Sequence, residues 1–123
     1  LHKAGAGFPS PATDYIEEDI DLNVHLIKNV PATFVIRVQG RSMTDVGIND
    51  GDILVVDKSL NPRNFSTVIA NVHDELVVKT FVQERDKKFL TSGSKKFEDR
   101  ILINEEEDIF IWGVVTYVIH SVY

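Results

Sequence analysis

From Pro31 to its end the chain is a succession of short apolar runs, dense in Val and Ile and cut at close intervals by turn residues. Such runs are too brief for packed helices, and β-branched side chains fit best on a pleated, half-buried surface. The pattern predicts strands over residues 33–38, 52–57, 67–72, 75–82, 89–91, 101–103 and 109–119. Asn49-Asp50-Gly51 is a turn signal ahead of the second run, and His73-Asp74 is the expected tip of a hairpin. Many short strands at this spacing imply a mainly β fold, a barrel or sandwich.

Before Pro31 the character changes. Residues 1–14 (LHKAGAGFPSPATD) are rich in Gly, Ala, Pro and Ser and read as an extended, adaptable N-terminal arm. Residues 15–29 carry the one helical signal, with Ile16, Ile20, Val24 and Ile27 in a single apolar stripe. Asp21 and Asn23 are weak helix formers and shorten or break it. The expected organisation is an arm over 1–14 and a single domain over 15–123.

Composition excludes more than it selects. A chain of 123 residues supports one hydrophobic core. No apolar run approaches the ~18–20 residues of a membrane span. The absence of cysteine removes disulfides, thiolate metal sites and cysteine nucleophiles, and it suits a reducing cytoplasm. A formal net charge of −6 argues against direct contact with DNA, because phosphates need a basic face. Lys3 is followed by small residues and not by the apolar stretch of a signal peptide. Leu1 is an unusual natural start, so the chain reads as a piece of a longer protein.

Of the seven serines, Ser42 stands out by context. It follows a predicted strand in Val38-Gln39-Gly40-Arg41-Ser42-Met43, where Gly40 permits a tight turn that lets a hydroxyl project from a rigid strand end. The backbone amides of Ser42 and Arg41 could then donate to a developing oxyanion. A serine hydroxyl needs a base to take its proton. His2, His25, His73 and His120 belong to no motif and read as solvated surface residues; their spacing offers no metal pair. Lys79 is the other candidate base. Strand alternation puts it on one face with Val77 and Phe81, where lost hydration disfavours an ammonium ion and lowers its pKa. A lysine reaching from an edge strand to water fits the same spacing. Asp45, Asp50, Asp52 and Asp57 lack the order of a calcium loop and suit turns and strand caps, and residues 105–108 form a solvated acidic loop. Nothing calls for a cofactor.

Several segments together give the sequence a family character: Ala6 to Tyr15 (AGFPSPATDY), Ile20-Asp21-Leu22-Asn23, Gly40-Arg41-Ser42-Met43, Gly47-Ile48, Gly51-Asp52 and Val78-Lys79. They resemble the UmuD mutagenesis proteins and, more distantly, the peptidase domains of LexA-type repressors, over nearly the whole chain. The resemblance implies a LexA/signal-peptidase-like β fold. In it a Ser–Lys dyad, Ser42 as nucleophile and Lys79 as general base 37 positions on, cuts the protein's own arm. It further implies cleavage at Ala6–Gly7, stimulation by a RecA filament on single-stranded DNA, a homodimer, and work beside a Y-family (UmuC-like) polymerase subunit in translesion synthesis. Ala4–Gly5 offers the same residue pair two positions earlier, and Ala precedes the cut where UmuD proteins often have Cys. What lies upstream of Leu1, a short arm or a helix-turn-helix domain, separates a UmuD-type protein from a repressor.

Overall fold

The computed structural model describes residues 21–40, 46–93 and 99–123. Seven strands form one antiparallel sheet: β1 (Thr33–Arg37), β2 (Ile53–Asp57), β3 (Thr67–Val72), β4 (Glu75–Glu84), β5 (Lys87–Thr91), β6 (Ile101–Leu102) and β7 (Ile109–Ile119). Each predicted run becomes a strand, with ends that differ by two residues or fewer. The spatial order is β1-β2-β7-β3-β4-β5-β6, so the last strand inserts between β2 and β3 and ties both halves together. At the β3–β4 turn His73 and Asp74 adopt φ of 50° and 69°, the left-handed pair whose twist matches a tight hairpin.

β7 is the organising strand, and it is irregular. Val55 and Val56 of β2 pair with Tyr117 and Val115, leaving Thr116 as an extra residue whose Oγ1 donates to the Val55 carbonyl at 3.2 Å. Toward β3, Ile69 pairs with Gly113 and Ala70 with Ile111, leaving Trp112 extra. Each bulge reverses which face the alternate side chains occupy. Ile109, Ile111 and Val114 therefore share one face despite their mixed parity, while Trp112 and Val115 share the other.

The sheet buries apolar side chains on both faces. One cluster joins Val38, Ile48, Leu54, Val56 and Ile69, with Trp112 packed against it. Trp112 also meets the Phe34 ring edge-on at 5.1 Å and carries the Lys58 ammonium 4.5 Å from its centroid. The second cluster joins Val68, Ala70, Phe81, Leu90, Ile109 and Val114.

The described part of the helical segment is short, as Asp21 and Asn23 lead one to expect. Within the described residues α1 spans Leu22–Leu26, and Val24, a member of the apolar stripe, is exposed. Asp21 sets the start by accepting the N–H groups of Asn23 and Val24 at 3.0 and 3.4 Å, so it caps the helix and does not sit inside it. Ile27 is already extended, and Val30–Ala32 forms a 3-10 turn around Pro31. Ile16, Ile20 and the arm over 1–14 lie outside the described residues.

Candidate functional site

Lys79 is built into the middle of the sheet. Its strand β4 is hydrogen-bonded to β3 on one side and β5 on the other, so it is no edge residue reaching for water. Register sets Lys79 opposite Val68, and alternation sets it between Val77 and Phe81, on the face of the second apolar cluster. The side chain is half-buried. Nζ donates to Ser92 Oγ at 2.7 Å, and among the described residues no carboxylate pairs with it.

The backbone leading to Ser42 is fastened from the opposite direction. Past β1, the Val38 N–H donates to the Asp52 carbonyl at 2.8 Å, and the Gly51 N–H donates to the Val38 carbonyl at 2.9 Å. The Gly40 N–H then donates to Asp50 Oδ1 at 2.9 Å, with Gly40 at φ 102°, a conformation that L side chains rarely adopt. Ser42 and Arg41 lie outside the described residues, as do Ala6, Gly7, Asp45 and His2. Val38 and Gln39 of this stub nevertheless share a cleft of about 290 Å³ with Leu76, Val77 and Val78, the residues just before Lys79. The stub toward Ser42 and the strand of Lys79 thus wall one cavity.

Beneath the stub lies a buried carboxylate. Asp52 is 2% exposed; its Oδ2 accepts the Asn49 N–H at 2.8 Å and its Oδ1 lies 2.6 Å from His120 Nδ1. The Asn49 amide first, and His120 second, hold this carboxyl below the ordinary carboxylate range. His120, expected to be solvated, is half-exposed and tethers the end of β7 to the start of β2. Asp50 and Asp57 act as turn and cap residues, Asp57 accepting the Ser59 N–H and hydroxyl at 2.8 and 2.6 Å. His73 and the acidic turn Glu105–Glu107 are exposed, and His25 lies beside the Tyr117 ring. Among the described residues no three His, Asp or Glu side chains converge as metal ligands. Nor is any described helix long and apolar enough to cross a membrane.

Two contacts escaped the sequence reading, and both are long-range. Ser92 meets Lys79 because Thr80 pairs with Thr91, a register that no local pattern encodes. His120 meets Asp52 because β7 runs beside β2.

A model of the family described as Peptidase S24-like matches residues 1–116. Over 115 residues the chain is 45% identical to Protein ImpA of Escherichia coli, spanning 94% of this chain and 77% of that one. Protein SamA of Salmonella typhimurium is 43% identical over 116 residues, 94% of this chain and 79% of its own. Protein MucA of Escherichia coli is 39% identical over 117 residues, 95% and 80% of the two.

Proposed function

Because the chain belongs to the Peptidase S24-like family, we propose that it is a self-cleaving serine peptidase of the SOS response, with Ser42 as nucleophile and Lys79 as general base. The observation that carries this reading is the setting of Lys79. It rises from an interior strand onto an apolar face with a neutral hydroxyl and no carboxylate as its partner among the described residues. The hydroxyl partner adds no charge beside the amine. The stub toward Ser42 and residues 76–78, which lead into Lys79, line one cleft, so the two segments are neighbours in the fold.

The arm over 1–14 is the substrate and Ala6–Gly7 the bond cut. Neutral Lys79 takes the Ser42 proton as Oγ attacks the Ala6 carbonyl carbon. The amides of Ser42 and Arg41 donate to the oxyanion of the tetrahedral intermediate. Collapse breaks the Ala6–Gly7 bond, and the departing Gly7 nitrogen receives the proton from Lys79. Water, giving a proton to the same amine, then attacks the Ala6 acyl carbon; the amine returns that proton to Ser42 Oγ as the acyl–Oγ bond breaks and the Ala6 carboxylate leaves. Small residues on both sides of the bond let an extended arm come close to the nucleophile. A RecA filament on single-stranded DNA stimulates the cut, and the shortened chain acts in the cytoplasm as a homodimer beside a Y-family polymerase subunit.

Mass spectrometry of the chain, carried with its arm, through a rising pH series with and without a RecA filament tests the reading. The cut should accelerate with pH, since only the neutral amine accepts a proton. Ser42→Ala and Lys79→Arg should both be inactive while folding normally, the latter because guanidinium does not release its proton in this range. Cutting by either variant at the wild-type rate would refute the dyad.

A further inference from the structure

We propose that Ser92 is a positioning residue for Lys79, its hydroxyl holding Nζ in the orientation from which the amine takes up a proton. The inference rests on the Ser–Lys reading above and deepens it. Ser92 follows the last residue of β5, one step beyond the Thr80–Thr91 pair, which brings it across from Lys79. There Nζ donates to Ser92 Oγ at 2.7 Å.

Ser92 is fastened on both sides. Thr91 is 1% exposed, and its Oγ1 donates to the Gly93 carbonyl at 2.9 Å, closing a tight loop around Ser92. Gly93 is buried at φ 93°, so the chain reverses there through a conformation suited to glycine. The acceptor offered to Lys79 is therefore set by backbone held in place independently of it.

The chemistry follows from valence. A neutral amine has two N–H bonds and one lone pair, and it spins easily about Cε–Nζ. Directing one N–H at a fixed acceptor removes that freedom and leaves the lone pair two staggered positions instead of three. A hydroxyl does this without adding charge. A carboxylate at the same distance would orient the amine as well, but it would favour the ammonium form and silence the base. A neutral, rigidly held acceptor is thus the partner that a proton-accepting lysine requires.

The test measures the initial rate of arm cutting against pH, by mass spectrometry, for wild type and for Ser92→Ala, Ser92→Thr and Ser92→Asp. Ser42→Ala and Lys79→Arg serve as controls. Ser92→Ala should slow the cut about tenfold through lost orientation, with a melting temperature close to wild type. Ser92→Thr, which keeps the hydroxyl, should restore most of the rate. Ser92→Asp should move the half-maximal pH upward by about one unit or more. The aspartate and threonine arms carry the test if the alanine variant fails to fold. Wild-type rates and pH profiles in all three Ser92 variants, with both controls inactive, would overturn the positioning role and leave the dyad standing. A cut that survives Ser42→Ala but not Ser92→Ala would make Ser92 the nucleophile and overturn both.

Discussion

Asp52 is the described carboxylate with the largest structural burden, because it is buried and joins three segments. Its backbone carbonyl accepts from Val38, its side chain accepts from Asn49, and His120 reaches it from the end of β7. These bonds favour the charged form, so protonation is harder in the folded chain than in the unfolded one. The resulting stabilisation is present in full above the ordinary value of 3.8 and is lost as pH falls through the lowered one. Urea unfolding followed from neutral pH into acid should show that loss. His120→Ala should shift it to higher pH, since one of the two bonds that lower the carboxyl is gone. Asp52→Asn should be less stable at neutral pH and should lose the acid-dependent component. An unchanged acid profile in both variants would mean that the pair contributes nothing to folding.

Among the elements, β7 departs furthest from regularity, and Gly113 shows why. It sits beside the Trp112 bulge, paired with Ile69, at a point where the strand comes very close to β2. A Cβ built on Gly113 would lie 2.6 Å from Val56 Cγ1, a branched side chain locked in the first core cluster. Gly113→Ala must therefore displace Val56 or the strand itself. The expected cost is about 1–3 kcal/mol, typical of overpacking, read from chemical denaturation. Val56→Ala in the same chain should recover part of that loss by opening the space, and a Gly113→Ala variant as stable as wild type would contradict the close approach. Strand runs such as 67–72 were legible because each keeps one phase from end to end. The faces of 109–119 were not, because its two bulges arise only where two partner strands demand different registers.

For the whole molecule, three exposed apolar side chains of β1 and β7 lie together on one face. Val35 and Tyr117 flank Val55 in register, and Ile119 lies in the next row of the same face beyond Ile53. Val35, Tyr117 and Ile119 are all exposed, forming an apolar patch on β1 and β7 that suits the proposed homodimer. Sedimentation at micromolar concentration should give a dimer, and Ile119→Asp should give a monomer with its fold retained. A monomeric wild type would remove the patch from consideration as that interface. Local chemistry was enough to set the strand content, the hairpin at His73-Asp74 and the cap-and-turn roles of Asp50 and Asp57, since each depends on neighbours a few residues away; for Lys79 it left a buried amine and a surface lysine equally open. Only the tertiary structure decided that Lys79 stands on an interior strand, that Ser92 is its partner and that His120 is bound to Asp52. Those outcomes rest on the insertion of β7 between β2 and β3 and on the β4–β5 register, which bring together residues 13 to 68 positions apart. Pairings across such distances are chosen by packing of the whole sheet, and no window of sequence contains them.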